Sequence, residues 1–270
     1  MIRLAVLGDP VEHSRSPEIH QAFADQCGVS IEYRKIRPER FEDTVLDLVA
    51  SGARGFNCTV PFKEVAVARC DTLSDIARDT GAVNTVVIDG DQLHGDNTDG
   101  EGLLRDLRAN LGWLLRDRRI LLVGAGGAAR GVLPSLLSAQ PACVHITNRT
   151  LSRATDLVSE RVNASSNVAA LAPDALEDAY DLVINATSAG LSGAVPDLPA
   201  SVVAAGTHVY DMVYGDGMTA FNAWATDAGA RVCADGLGML VEQAAVAFYL
   251  WTGQSPETTA VVQRVRAGLR

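Results

Sequence analysis

Residues 119–130, R-I-L-L-V-G-A-G-G-A-A-R, decide the fold. The apolar run 120–123 is typical of a buried parallel strand. Gly124, Gly126 and Ala129 then give the G-x-G-x-x-A pattern of a dinucleotide-binding turn, and the next helix directs free N–H groups at the phosphates. The alternative is a glycine-rich turn without a ligand. A strand before the turn, a helix after it and a second strand beyond favour the binding turn.

The end of that second strand, 144–147, indicates which dinucleotide is bound. An NAD site would have Asp or Glu here to accept from the ribose 2′-hydroxyl. The chain instead continues with Asn148, Arg149 and Thr150, and Arg153 follows closely. Guanidinium groups bind a 2′-phosphate through charge-assisted bonds, so we predict NADP as the cofactor. The alternative is that the arginines are surface charges on a helix.

Composition bounds the classes of partner. The chain has 270 residues, 47% of them hydrophobic and 21% charged, as in ordinary globular proteins. A formal net charge of −10 argues against nucleic acid or an anionic membrane as the main partner, since both require a basic surface. We therefore expect a small-molecule substrate. The chain is expected to be a monomer or a homodimer, and the sequence does not decide between the two.

The five scattered cysteines form no C-x-x-C pair, and we expect free thiols without a disulfide framework or a metal site. Met1–Gly8 passes directly into a strand without a signal-peptide pattern, and no apolar stretch reaches transmembrane length. These features predict a cytoplasmic protein.

The loop after the first strand, Ile2–Leu7, is a candidate substrate site. Ser16, followed by Pro17 and Glu18, is predicted to be the N-cap of a helix. Ser14 is not needed for that cap, and two hydroxyls beside helix N–H groups suit a small carboxylate. The alternative is that Ser14 is an ordinary polar loop residue.

A lysine lies at the start of another predicted helix. The strand Gly55–Val60 leads to Pro61, which places Lys63 in the first helical turn, where the helix dipole disfavours its charged form. Such a lysine can serve as a general acid or base, although pairing with solvent is the alternative. Asn57 and Thr59 point to one face of the strand.

A dense polar segment, Asp96–Asp99, follows a predicted hairpin whose first strand is Val83–Ile88. One interpretation is a turn rich in turn-forming residues. The other is that Asp99 faces Lys63, with Asn84 directed to the same pocket. A Lys–Asp pair at a reacting hydroxyl can hold and pass one proton.

The C-terminal part contains a glycine turn over 234–238 and then a long apolar helix, 239–251. Gln243 on this helix is a candidate substrate contact, because a buried amide needs partners. The alternative is a purely structural glutamine.

Together these elements predict two α/β domains: an N-terminal substrate domain with a mostly parallel sheet, and a Rossmann NADP-binding domain. Helices would join them around a cleft. The boundaries predicted are 1–100 for the substrate-binding catalytic domain, 101–236 for the Rossmann domain, and 237–270 for C-terminal helices that return to the substrate domain.

Nine motifs in order make the chain resemble the NADP-dependent shikimate dehydrogenase family along nearly its whole length. They are G-D-P-V-E-H-S-R-S-P-E-I-H from Gly8, N-C-T-V-P-F-K from Asn57, G-A-V-N-T from Gly81, G-D-N-T-D-G from Gly95, G-A-G-G-A-A-R-G from Gly124, N-R-T-x-x-R from Asn148, N-A-T-S-A-G from Asn185, Y-D-M-V-Y from Tyr210 and A-D-G-L-G-M-L-V-E-Q from Ala234.

The resemblance implies reversible NADPH-dependent reduction of 3-dehydroshikimate to shikimate, in the shikimate pathway toward chorismate and the aromatic amino acids. Lys63 and Asp99 would form the catalytic pair. The substrate-binding residues implied are Ser14 and Ser16 at the carboxylate, Asn57, Thr59, Asn84 and Gln243 at the hydroxyls, and Tyr214 at the mouth of the pocket.

The cofactor-binding residues predicted in full are Gly124, Ala125, Gly126, Gly127, Ala128, Asn148, Arg149, Thr150, Arg153, Thr187, Met212 and Gly236. Two positions depart from the family pattern. Cys58 replaces the usual valine, and we expect only a packing change there. Ala129 replaces a common serine, which could weaken one phosphate contact.

Two alternative functions stay open on the sequence. A quinate/shikimate dehydrogenase with looser substrate and cofactor choice would need only a slightly roomier pocket. A non-catalytic ligand sensor could be built on the same fold, although it would have no need of the pair Lys63 and Asp99.

Overall fold

The computed structural model describes residues 1–161 and 167–269. These residues form two compact units: Met1–Gly102 with Leu240–Gly268, and Leu103–Met239. In the described part of the chain, each unit has one six-stranded sheet. The predicted functional boundaries at 100 and 236 stay a prediction.

The strands of the first unit are β1 (Ile2–Leu7), β2 (Ile31–Ile36), β3 (Gly55–Cys58), β4 (Thr72–Leu73), β5 (Thr85–Asp89) and β6 (Gln92–Asp96). Those of the second unit are β7 (Arg119–Val123), β8 (Cys143–Thr147), β9 (Val168–Leu171), β10 (Leu182–Asn185), β11 (His208–Asp211) and β12 (Val232–Asp235).

The α-helices are α1 (Ser16–Cys27), α2 (Phe41–Ala50), α3 (Lys63–Arg69), α4 (Asp75–Thr80), α5 (Asp99–Arg105), α6 (Gly127–Ser138), α7 (Leu151–Arg161), α8 (Ala220–Asp227), α9 (Leu237–Thr252) and α10 (Thr259–Ala267). A π-helical segment, Asp106–Asn110, continues α5, and short 3-10 turns occur at Pro173–Ala175, Ala189–Ser192 and Ala200–Val202.

The first unit's sheet has the strand order β2-β1-β3-β5-β6-β4. β1 pairs in parallel with β2 and β3, and β4 pairs in parallel with β6, whereas β5 pairs antiparallel with β3 and β6. The sheet is therefore mixed. The antiparallel part includes the predicted hairpin, which consists of β5 and β6. This hairpin returns the chain to the edge of the sheet where β1 and β3 end.

The core of the first unit lies on the sheet and under the helices that follow β2 and β3. Its members are apolar residues of alternating strand positions together with the inner faces of α2, α3 and α4. Leu7, Phe56 and Val86 are each at most 1% exposed and represent three neighbouring strands. Cys58 belongs to this core, in agreement with the packing role expected for it.

The second unit's sheet is parallel throughout, with the order β12-β11-β10-β7-β8-β9. This is the Rossmann strand order, in which β7 stands at the point where the chain changes direction across the sheet. The carboxyl ends of parallel strands share one edge, so the loops after β7, β8, β10, β11 and β12 meet there.

Buried apolar residues cover both faces of this parallel sheet. Among them is a polar contact: the Tyr210 hydroxyl donates to Asp106 Oδ2 at 2.6 Å, and both residues are buried. A Cβ on Gly238 would lie 1.9 Å from Asp106 Oδ1, so only glycine allows this approach. The contact fixes the π-helical segment against β11 and the start of α9.

The glycine turn predicted over 234–238 is wrong, because β12 extends to Asp235 and α9 begins at Leu237. β4, β9 and β12 are absent from the sequence predictions. These strands are two to four residues long, and V-A-A-L and V-C-A-D contain few residues with a strong strand preference. Pairing with a neighbouring strand makes them strands.

Among the described helices, none has both the length and the apolar character needed to cross a membrane.

Candidate active site

Lys63 and Asp99 meet in the first unit. The Lys63 ammonium donates to Asp99 Oδ2 at 2.5 Å. The lysine side chain is 28% exposed and the aspartate side chain 12% exposed, so both are shielded yet reachable from solvent. A charge-assisted hydrogen bond of this length holds a proton between two groups that can exchange it.

Two local features position this pair. Lys63 is the first residue of α3, and its carbonyl accepts from the Val83 N–H at 2.8 Å, which fixes the start of the helix beside the next strand. Asp99 is the first residue of α5, and its N–H donates to Asn97 Oδ1 at 3.1 Å. Asn97 in turn donates to the Ala82 carbonyl at 3.0 Å. The polar segment is thus a turn that also directs Asp99 toward Lys63.

Asn84 fixes the other oxygen of Asp99. Its Nδ2 donates to Asp99 Oδ1 at 2.8 Å, while its Oδ1 accepts from the Thr98 N–H at 2.9 Å. Asn84 is 3% exposed, so these bonds have little competition from water. The carboxylate is therefore held on one side by an amide and presents its other oxygen to the lysine.

Gln243 of α9 closes the same network. Its Oε1 accepts from Thr98 Oγ1 at 3.3 Å and from Asn84 Nδ2 at 3.4 Å. The residue is only partly buried, in contrast to the burial predicted for it. A Cβ on Gly102 would lie 2.6 Å from Gln243 Cβ, so the glycine lets α5 pass directly beside α9 here.

Asn57 is joined to this network through the backbone of Asn84. Its Nδ2 donates to the Asn84 carbonyl and to Thr85 Oγ1, both at 3.0 Å, and its Oδ1 accepts from the Tyr33 hydroxyl at 2.6 Å. Tyr33 is missing from the sequence predictions. Thr59 lies just beyond β3, where its N–H donates to the Leu7 carbonyl.

Ser14 and Ser16 lie together at the start of α1, but the predicted cap is wrong. Ser16 is the first helical residue, and Arg15 stands at the N-cap position without a side-chain cap bond. Ser14 Oγ instead accepts from the Ser16 N–H at 3.3 Å and donates to Ser16 Oγ at 3.1 Å. Ser14 therefore organises the start of the helix, and both hydroxyls belong to one hydrogen-bonded pair.

His20 is a structural histidine in the interior. It is fully buried, and its ring stacks on that of Tyr33, with the ring centroids 4.6 Å apart and an interplanar angle of 10°. Neither ring nitrogen makes a hydrogen bond of normal geometry to a described residue. Burial lowers the pKa of His20 to about 3, and the neighbouring Asn57 side chain offsets part of this effect. The ring is neutral at ordinary pH.

The glycine turn of the second unit has the geometry of a phosphate site. Gly124 has φ of +109°, and a Cβ there would lie 3.0 Å from Thr187 Cγ2. At Gly126 and Gly127 a Cβ would meet nothing within 4 Å, so space is open at the start of α6, which has no side-chain cap. Ala129 is fully buried, as the third small residue of the motif should be.

The predicted 2′-phosphate residues follow β8 at the same sheet edge. Asn148 Nδ2 donates to the Thr150 carbonyl at 2.9 Å and shapes the loop. Arg149 and Arg153 are exposed, and neither forms an ion pair with a carboxylate in the described ranges. Two arginines four positions apart, both without such partners, suit a dianionic group. This donor set, with the open glycine turn, fits NADP.

A buried polar network supports the neighbouring loops. Asn185 Nδ2 donates to Asp211 Oδ1 at 2.9 Å, and Asn185 Oδ1 accepts from Thr187 Oγ1 at 2.7 Å. Met212 and Gly236 are in contact, because a Cβ on Gly236 would lie 2.2 Å from the Met212 carbonyl oxygen. The Thr187, Met212 and Gly236 loops are thereby held at the sheet edge where β7 and β8 end.

Asp211 is a second residue that the sequence predictions lack. It is fully buried, and its Oδ2 has no hydrogen-bond partner among the described residues. Burial raises the pKa of Asp211, while the Thr219 side chain and the hydrogen bonds from the Val213 N–H and the Asn185 side chain oppose the rise. Tyr214, predicted at the pocket mouth, follows this strand in the second unit.

In the described residues all five cysteines are free thiols, and no group of three or more metal-binding side chains occurs.

Three family models match the chain. The shikimate dehydrogenase substrate-binding domain matches residues 6–86, the shikimate/quinate 5-dehydrogenase domain matches residues 107–192, and the shikimate 5′-dehydrogenase C-terminal domain matches residues 236–266.

Individual relatives are similar along nearly their whole length. The shikimate dehydrogenase (NADP+) of Alkalilimnicola ehrlichii is 50% identical, covering 98% of each chain, and that of Alcanivorax borkumensis is 49% identical, covering 97% of this chain and 95% of its own. The structure of shikimate 5-dehydrogenase from Thermus thermophilus in complex with NADP(H) and shikimate is 35% identical with a TM-score of 0.90, and the match covers 100% of both chains.

Proposed function

This chain belongs to the shikimate dehydrogenase family, and we propose that Lys63 and Asp99 perform the proton transfer of its reaction. It is an NADP-dependent oxidoreductase that acts on a CH–OH group, reducing 3-dehydroshikimate reversibly to shikimate. The relatives do not favour the looser quinate/shikimate enzyme or the non-catalytic sensor. The observation that carries the proposal is the 2.5 Å contact between the two side chains inside a network of predicted substrate residues.

Reduction of a ketone adds a hydride to the carbonyl carbon and a proton to the carbonyl oxygen. NADPH, when bound, supplies the hydride. Lys63 Nζ supplies the proton, so one N–H bond breaks as the O–H bond of shikimate forms. Asp99 keeps the amine oriented during the transfer. In the reverse direction the neutral amine takes the proton from the shikimate hydroxyl.

The residues around the pair hold its geometry. Asn84 donates to Asp99 Oδ1 and so leaves Oδ2 for the lysine. Asn84 and Asp99 are buried, so water competes little for the hydrogen bonds that orient the carboxylate. Besides the cofactor's chemistry, the main contribution of such a protein is to hold the reacting groups in place before the reaction.

We assign the remaining predicted residues to binding. Ser14 and Ser16 would hold the substrate carboxylate, with Asn57, Thr59, Asn84 and Gln243 at its hydroxyls and Tyr214 at the pocket mouth. Each of them offers a hydroxyl or an amide group for hydrogen bonding.

The cofactor assignment rests on the second unit. The turn Gly124–Ala128 would hold the pyrophosphate, and Asn148, Arg149, Thr150 and Arg153 the adenosine ribose and its 2′-phosphate. Thr187, Met212 and Gly236 would contact the rest of the dinucleotide. The open space at Gly126 and Gly127 and the unpaired state of Arg149 and Arg153 among described residues support this.

We further propose that the chain works in the cytoplasm as a monomer or homodimer, with residues 1–100 as substrate domain, 101–236 as cofactor domain and 237–270 as helices returning to the substrate domain. Free thiols suit a reducing compartment.

A split in the kinetic constants tests the assigned roles. We expect Asp99→Asn to lower kcat by about a hundredfold, because the lysine loses the carboxylate that orients it. We expect Ser14→Ala to raise KM for shikimate by about tenfold with a smaller effect on kcat, because one hydrogen bond to a charged group is lost. Steady-state kinetics at saturating NADP+ measure both.

Ser51→Ala is the matched control, since the Ser51 hydroxyl donates to the Leu48 carbonyl on an exposed surface. A pure KM effect of Asp99→Asn would contradict its role beside the lysine. A pure kcat effect of Ser14→Ala would contradict the carboxylate assignment.

A further inference from the structure

Tyr33 holds one of the predicted substrate residues, Asn57. It lies in β2, outside every motif that points to the function. Its hydroxyl donates to Asn57 Oδ1 at 2.6 Å. Burial raises the pKa of Tyr33, and the Ser16 side chain acts against that rise. The phenol thus contacts Asn57, which is assigned to the substrate hydroxyls.

Asn57 is fixed by the same phenol. Both of its Nδ2 protons are used, toward the Asn84 carbonyl and Thr85 Oγ1. The Asn84 carbonyl can only accept, so it requires Nδ2 of Asn57 on its side, and Oδ1 then faces the Tyr33 hydroxyl, which donates to it. One lone pair of Asn57 Oδ1 then remains to accept from a substrate hydroxyl.

The ring of Tyr33 is itself held firmly. It stacks on the ring of His20, and the Trp251 ring packs against it with the ring centroids 6.3 Å apart. Trp251 is anchored by its indole N–H, which donates to the Val86 carbonyl at 2.9 Å. The hydroxyl is thereby placed by packing from α1 and α9, before any substrate binds.

We propose that Tyr33 is a positioning residue for the substrate: its hydroxyl holds the Asn57 side chain in the orientation in which Oδ1 can accept from a substrate hydroxyl. This rests on the proposed function of Asn57. Tyr33 affects binding through this side chain and does not touch the proton pair.

The test is Tyr33→Phe, which removes the hydroxyl and keeps the ring on His20. We expect KM for shikimate to rise about tenfold, kcat to change less than about threefold and KM for NADP+ to stay constant. In an Asn57→Ala background the same substitution should have little further effect, since the two side chains act as one unit.

Tyr180→Phe is the matched control, because the Tyr180 hydroxyl pairs with His145 Nδ1 at 2.8 Å in the other unit. Rates are measured well below the unfolding midpoint of every variant, so a change in stability does not imitate a change in binding. An unchanged KM in Tyr33→Phe, with a raised KM in Asn57→Ala, would overturn the inference and leave the proposed function intact. An unchanged KM in Asn57→Ala would overturn the assigned role of Asn57, and the role of Tyr33 with it.

Discussion

Replacing Lys63 with alanine should lower kcat by about a thousandfold, within the range that one general acid–base group contributes. KM for NADPH should change little, since Lys63 belongs to the first unit and the predicted cofactor residues belong to the second. The physical reason is that the carbonyl oxygen then has no positioned donor. Its proton would come from water, which has no fixed place in the site. Steady-state and single-turnover rates of NADPH oxidation with 3-dehydroshikimate measure the loss.

The chain offers a closely matched control. Its sequence has one other lysine, Lys35, which donates to the Glu12 carbonyl on an exposed surface. Lys35→Ala should keep full activity. An unchanged kcat in Lys63→Ala would remove this residue from the chemical step.

Removing both Arg149 and Arg153 should raise KM for NADPH by about a hundredfold, because each guanidinium gives charge-assisted bonds to the 2′-phosphate. KM for NADH should change little, since NADH lacks that phosphate. The preference of the double alanine variant for NADPH over NADH therefore decreases, because KM for NADPH rises while KM for NADH stays the same. Initial rates over a range of each cofactor, at a fixed 3-dehydroshikimate concentration, measure it.

Arg231→Ala is the control, an exposed arginine of the same unit that should affect neither cofactor. An equal loss with NADPH and NADH would show that the two arginines support the fold of the loop and do not select the phosphate.

The parts of the molecule that local sequence determines could be predicted. Gly124 adopts a positive φ that glycine accepts readily, and the apolar strand before it and the helix after it are each continuous in sequence. α3 begins at Lys63, two residues after Pro61, so the predicted place of Lys63 in the first helical turn is confirmed. Residues that are close along the chain determine such features, so they can be predicted without the tertiary structure.

The parts of the molecule that depend on contacts between residues far apart in sequence could not be predicted. Tyr33 lies in I-E-Y-R-K-I, where a tyrosine is an ordinary strand residue, and its partner Asn57 is 24 residues away. Asp211 ends β11, and only the pairing of β10 with β11 places it opposite Asn185. Local sequence does not specify that pairing, although a carboxylate at the end of an apolar strand was a usable signal.

The Ser14–Ser16 loop shows a subtler limit. A serine before Pro-Glu has the composition of an N-cap, yet the helix begins at Ser16 itself and Ser14 bonds to its N–H. Helix boundaries shift by a residue or two according to how the preceding loop packs, and sequence preference does not fix them. The two hydroxyls were therefore identified correctly as neighbours, while their bonding was not.

The most direct test is the rate of NADPH oxidation by the purified protein with 3-dehydroshikimate, together with the reverse reaction on shikimate and on quinate with NADP+ and NAD+. We predict rapid turnover with 3-dehydroshikimate and NADPH and with shikimate and NADP+, and little with quinate or NAD+. Absence of turnover with every pair, in a folded protein that still binds NADPH, would contradict the assigned reaction.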